Sequence, residues 1–299
     1  MLIRMLLISM ALAAQGDVSA IVREARAEAV RGKTDRARAL LSSVVEGFEK
    51  DGKTDSDDYV NALLRLSEVS TNTAEVLDKA LVAAGDRRIG TEVAIRRGFT
   101  HVRAKQFGEA IPLFAKAARL DPKQAPRAAM WMAITHAQSG DRQYAELSVG
   151  NALREVETGG VAEAEISMIA ATVYESLGRA ELANTLRQRA AELWKGKQQP
   201  ITPGAVRVGG GVTAPSIIQR FEPRYSQEAS AAKHMGSIVL YLVVGENGVP
   251  RDIRVLRGLG MGLEELAVES VAEWRFKPGM KDGQPVPVAA TIEVNFRLL

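Results

Sequence analysis

From Val18 to Trp194 the apolar positions recur at helical spacing, and glycine, aspartate and asparagine break the pattern at regular intervals. This predicts a succession of amphipathic helices joined by tight turns. Gly196 to Gly211 then carries Pro200, Pro203 and the run Gly209, Gly210 and Gly211, a composition that sustains neither helix nor strand. Beyond it the signals become those of strands. Gly236 to Gly245 is apolar and β-branched, Glu246-Asn247-Gly248 reads as a hairpin turn, and Val249 to Arg257 alternates. Leu263, Leu266, Ala267, Ser270, Val271 and Trp274 return to helical spacing, with Glu264, Glu265, Glu269 and Glu273 on the other face. A second turn, Lys281-Asp282-Gly283, leads to a last apolar run from Val286 to Leu298. The predicted C-terminal order is a helix (Pro223 to about Lys233), strand, strand, helix and a strand pair.

The helical region repeats itself. Ala37, Ala74, Ala110, Ala145 and Ala183 each follow a turn, at steps of 37, 36, 35 and 38 residues. The third unit is the most regular, with Gly98, Phe107, Ala110, Phe114, Ala117 and Asp121-Pro122. Small residues let two helices approach closely, and an aromatic fills the wider layer between them. This region resembles tetratricopeptide repeats, whose period is about 34 residues. The resemblance implies a curved superhelix, whose concave face either holds a peptide or simply belongs to a rigid spacer.

Composition narrows the function. Hydrophobic residues make up 46% and charged residues 25%, as in an ordinary soluble protein. The 39 basic and 36 acidic residues leave a net charge of +3, with no basic stripe, so no nucleic-acid partner is expected. The chain has 0 cysteines, which removes disulfides, thiolate nucleophiles and cysteine-ligated zinc. At the N-terminus, Arg4 precedes the apolar run Met5 to Ala14, with small residues where a signal peptidase cuts. The run is far shorter than the ~20 residues of a membrane span. It reads as a signal peptide over 1–14, and hence as export to the periplasm; the alternatives are a first amphipathic helix or an uncleaved anchor.

Candidate chemistry is sparse. His101 and His136 stand one repeat apart, as repeat packing explains. His234 ends the first C-terminal helix, where a cation suits the helix dipole. Neither G-x-S-x-G nor H-E-x-x-H occurs. The spaced glycines Gly258, Gly260 and Gly262 lack a dinucleotide-binding frame and read as the loop before a helix. No catalytic, cofactor or metal residue is assigned, and the chain does not read as an enzyme.

The C-terminal string is more specific. In order it contains Pro223-Arg224-Tyr225, Ala229, Gly236, Gly248-Val249, Leu263, Ala267, Trp274-Arg275-Phe276-Lys277-Pro278, Gly283-Gln284-Pro285-Val286 and Phe296. This resembles the C-terminal domain of the TonB family. Two departures stand out: Ser226 occupies a place where the family often has a second proline, and a cleavable-looking leader replaces a transmembrane anchor. The fold expected is therefore multidomain, an all-α tetratricopeptide-like array (18–195), a linker (196–211) and a small α+β TonB-like domain (212–299).

The resemblance implies that the last strand pairs with an extended peptide of a TonB-dependent outer-membrane transporter. The candidate edge is Val288, Ala290, Ile292, Val294 and Phe296, in a stretch whose charge is confined to Glu293. Pro223, Tyr225, Gly236, Gly248, Trp274, Phe276, Pro278 and Gly283 are expected to be structural. The bland alternative is an edge covered by the linker or by a second copy, as in a homodimer. An inner-membrane motor would be reached only through an intermediary. The competing function is a periplasmic scaffold that holds protein partners without transducing energy.

Overall fold

A computed structural model describes residues 18–195 and 202–297; the expected signal peptide, 1–14, lies outside the described residues. Ten helices form five consecutive pairs: α1 (Val18–Val30) with α2 (Thr34–Lys50), α3 (Asp57–Val69) with α4 (Thr73–Ala84), α5 (Gly90–Arg103) with α6 (Phe107–Leu120), α7 (Ala125–Ser139) with α8 (Arg142–Glu155), and α9 (Val161–Ser176) with α10 (Ala180–Lys195). This is the tetratricopeptide-like array. The polar punctuation sets its ends. Gly140 closes α7 at φ 87°, a conformation that suits glycine, and the Asp141 carboxylate then caps α8 by accepting the Tyr144 N–H.

The repeat alanines are where close packing needs them. Ala37, Ala110, Ala145 and Ala183 are each 0% exposed, at the fourth residue of α2, α6, α8 and α10. Ala74 departs from this register. Helix α4 starts at Thr73, so Ala74 is its second residue and only half-buried, while Val76 and the buried Leu77 take the packing position. Gly98 does what its place in the repeat predicts, since a Cβ there would stand 2.5 Å from the Phe114 ring. Phe99, Phe114 and Trp131 fill the layer behind it, with ring centroids 5.1 and 4.9 Å apart.

The C-terminal domain comprises β1 (Ser216–Gln219), α11 (Gln227–Ala232), β2 (Gly236–Val244), β3 (Pro250–Arg257), α12 (Leu263–Ala272), β4 (Arg275–Lys277), β5 (Gly279–Lys281), β6 (Gln284–Val286) and β7 (Val288–Phe296). Its main sheet is antiparallel with order β3-β2-β7. β5 and β6 form a hairpin, and β1 pairs with β4. Ser226, in place of the second proline, caps α11 by accepting the Ala229 N–H at 2.9 Å.

Two turns differ in kind. In the β5–β6 hairpin both Asp282 and Gly283 take positive φ, as a two-residue turn requires. In the β2–β3 hairpin Asn247 stays at negative φ and only Gly248 (φ 74°) crosses over. Gly248 N–H bonds Gly245 O, and Asn247 Oδ1 instead accepts the Val249 N–H. A Cβ on Gly248 would lie 2.0 Å from Phe276 O, so this glycine also lets β4 approach the hairpin.

The two halves pack against each other along one side of the array. The first helix of every pair reaches the C-terminal domain. Arg31, just past the end of α1, bonds Glu273 at 2.7 Å, Glu68 of α3 faces Arg224 at 3.8 Å, and α11 packs on α5. Gln138 of α7 donates to Ala231 O at 2.5 Å, and Thr172 of α9 meets His234 at 2.7 Å. A domain this small touches both ends of the array only because the array curves around it. One apolar core joins the last three pairs to β2, α12 and β7.

Candidate functional site

β7 is bonded to β2 along its whole length, from Gly236↔Phe296 to Val244↔Val288, and its other edge faces away from the sheet. Only the start of that edge is covered by described residues. Val206 N–H bonds Pro287 O at 2.9 Å, and Ala289 N–H bonds Val206 O at 2.8 Å. The segment from Thr202 to Val212 thus lies against the domain: Thr202 also contacts the Tyr241 hydroxyl at 3.0 Å, and Val212 is buried.

The register decides which groups face the open edge. Backbone groups alternate along a strand, so those of Ala289, Thr291, Glu293 and Asn295 point outward, and those of the intervening residues point to β2. Beyond Ala289, neither Glu293 nor Asn295 has a backbone bond outward to a described residue. Val288, Ala290, Ile292, Val294 and Phe296 therefore sit on the strand as predicted, but not at its outward groups. Val288, Val294 and Phe296 are buried, and Ala290 and Ile292 pack against the core. The outward backbone belongs to the other parity, flanked by the exposed side chains of Thr291, Glu293 and Asn295. The parity itself was readable from the alternation; which of the two parities faces β2 was not.

The motif positions of the C-terminal string lie within or beside the domain's packing. Trp274 and Phe276 are 1% and 5% exposed, their rings 6.2 Å apart, and Trp274 Nε1–H donates to Phe221 O at 2.8 Å. Tyr225 stacks edge-on against Phe296 at 5.4 Å. A Cβ at Gly236 would meet Leu259 at 2.6 Å. Pro223 and Pro278 are half-buried, and Gly283 is the hairpin turn.

His234 corrects an expectation. It is 1% exposed, and burial pushes its pKa down, so at neutral pH it is no cationic partner for the helix dipole. Its Nε2 lies 3.0 Å from Leu259 O, which can only accept, so Nε2 carries the proton and Nδ1 accepts from the Thr172 hydroxyl. The residue pins the domain to α9. His101 and His136 lie apart, beside Gln106 and Tyr144 respectively. Among the described residues no group of three potential ligands is placed to hold a metal ion.

The face between the halves was not foreseen at all. The acidic side of α12 reads in sequence as a solvated face, yet Glu269 and Glu273 turn onto α1, where Arg26 and Arg31 meet them. Behind them lies a buried charge cluster. Burial works against the charges of Glu68 and Arg96, but their mutual attraction overcomes it, lowering the carboxylate's pKa and raising the guanidinium's. Glu228 of α11, 6% exposed, has its pKa raised by burial, partly countered by Arg96. Nothing in a single sequence marks such a face, because its partners are some two hundred positions apart.

The geometry defines a class: a helical repeat array that carries a small α+β domain whose main sheet has β7 as one of its two edge strands. Comparison with known proteins agrees with it. Residues 222–298 match the family described as Gram-negative bacterial TonB protein C-terminal, and the small sheet domain is similar to it. The array side is similar to several solved structures. One of MamA AMB-1 has a TM-score of 0.38 and 24% identity, covering 59% of this chain and 99% of that one. Another of MamA has a TM-score of 0.42 and 16% identity, covering 62% and 98%. YrrB, described as a TPR protein with an unusual peptide-binding site, has a TM-score of 0.38 and 17% identity, covering 60% and 88%. No curated protein matches the chain. No described helix is long and apolar enough to cross a membrane.

Proposed function

We propose that this is a periplasmic protein-binding protein whose TonB-like domain takes an extended peptide of an outer-membrane transporter along β7, within TonB-type transport. The observation that carries the reading is the outward backbone of Glu293 and Asn295, which bonds no described residue along the β7 edge. A guest strand satisfies those groups, each backbone bond contributing about 0.5–1.5 kcal/mol net. The family match at 222–298 supports the choice of partner.

The test is a proline at the outward parity. Glu293→Pro removes an N–H that β2 does not use and puts a ring in the path of the guest. Ile292→Pro removes a bond to β2 and disturbs the sheet itself. With a labelled peptide from the periplasm-facing N-terminal segment of a transporter of the same cell, Glu293→Pro should weaken binding at least about tenfold with the fold retained. Unchanged affinity of this variant rules out the edge.

A further inference from the structure

The inner face of the array is occupied. The apolar part of the contact is the loop before α12. Leu259 and Met261 are 2% and 1% exposed, and Gly260 lies so close to α9 that a Cβ there would be 3.4 Å from Ile169 and 3.5 Å from Glu165. Glu264 holds the loop by accepting the N–H groups of Leu259 and Gly260. His234 fastens it to Thr172.

Around this plug the contact is a charge code. On the domain side stand Glu228 on α11 and Glu269 and Glu273 along α12. On the array side stand Arg26 on α1, Arg31 just past its end and Arg96 on α5. Arg26 pairs with Glu269 and Arg31 with Glu273, while Arg96 exerts its charge on Glu228. One pair runs the other way, Arg224 of the domain with Glu68 and Glu269 at 3.8 and 3.9 Å. The polar atoms are not fully matched. Arg224 Nε and Gln227 Oε1 are buried with no hydrogen-bond partner among the described residues. The contact is therefore mixed, an apolar centre continuous with the shared core and a rim of charged pairs around it, as interfaces between proteins are built.

We propose that the inner face of the repeat array is a receptor for acidic helices, and that its resident ligand is the chain's own TonB-like domain. Docking closes the groove to outside peptides and leaves the β7 edge pointing away from it. The tether keeps the two at an effective concentration on the order of millimolar, so a contact of modest strength suffices to hold the closed state. Opening frees Arg26 and the Glu273-facing side of Arg31 for an acidic helix of another molecule, while Arg96 stays paired with Glu68 and Glu92 inside the array. This inference does not depend on what β7 binds.

The test uses the full chain and its lack of cysteine. Cysteines at Val82, 85% exposed on α4, and at Lys281 on β5 carry spin labels, and the distance between them reports docking. The parent chain should give one narrow distance. Glu269→Arg with Glu273→Arg should shift the docked-to-open ratio by at least about tenfold and add a longer distance. Adding Arg26→Glu and Arg31→Glu should restore the narrow one. Should the reversal unfold the chain, Glu269→Gln with Glu273→Gln gives the same test with a smaller open fraction. A broad distribution in the parent chain, no change on reversal or neutralisation, or failure of the swap to restore docking each overturns the proposal. A labelled synthetic peptide of residues 262–274, carrying the α12 sequence, supplies a second readout. It should bind the charge-reversed chain and not the parent. Equal binding to both means that the groove is not closed by the domain.

Discussion

The array and the C-terminal domain bury their charges differently, and the contrast shows what each is built for. In the array most ion pairs lie between neighbouring helices near the surface, such as Arg97 with Asp78 and Arg179 with Glu146. Such pairs contribute about 0–1 kcal/mol, and its stability rests on the alanine seams and the Phe99–Phe114–Trp131 layer. The domain keeps an apolar core around Trp274 but hands its acidic helix face to the array. It also leaves the β7 edge beyond Ala289 without backbone partners at Glu293 and Asn295 among the described residues. The first region is finished inside and provides a surface; the second is finished only when something docks against it, on the helix side the array, on the strand side a guest.

The sharpest way to break that comparison is to ask whether the two regions unfold together. Trp131 and Trp274, 0% and 1% exposed, belong to one continuous apolar core. Trp131→Ala and Trp274→Ala should each cost about 3–5 kcal/mol. In chemical denaturation followed by circular dichroism, both should lower the midpoint of the same transition. Two transitions, each sensitive to one substitution, would show that the regions are joined by the tether alone.

A smaller effect tests the pin between them. Because burial depresses the pKa of His234, the separated or unfolded state binds the proton more readily than the docked one. Stability should therefore be full above the ordinary histidine value of about 6.5 and fall as pH drops below it. Glu228 slopes the opposite way: its raised pKa favours the docked state at low pH, and that gain is lost as pH rises. The informative quantity is thus the difference between the parent chain and His234→Asn. The variant should be less stable by about 1–2 kcal/mol at pH 7, and the gap should narrow by pH 5. A constant gap would mean that His234 is not held neutral.

Much of this was legible in the sequence, for a physical reason. Helical period, turn glycines and strand alternation are local, so the array, the helix–strand–strand–helix run from α11 to α12 and the buried Trp274 and Phe276 could be read directly, whereas the short strands β1 and β4 could not. Gly98 announced its close contact because only a missing side chain admits the Phe114 ring at that distance. What stayed hidden was relational. Ala74 slipped its register because the repeat spacing drifts where α4 starts at Thr73. His234 read as a cation at a helix end, and the acids of α12 gave no sign of the array, because burial by a distant segment leaves no local trace. The active parity of β7 depends on which neighbour it pairs with, and that is a property of the sheet.

The central claim is that β7 receives a strand while the array holds the domain from the other side. Residue-resolved amide exchange on the full chain, with and without the transporter peptide, addresses it directly. The account predicts slowed exchange at Glu293 and Asn295 on adding peptide, with the inner helices α1, α5 and α9 unchanged. Slowing on those inner helices, with β7 unaffected, would place the peptide in the groove and contradict it.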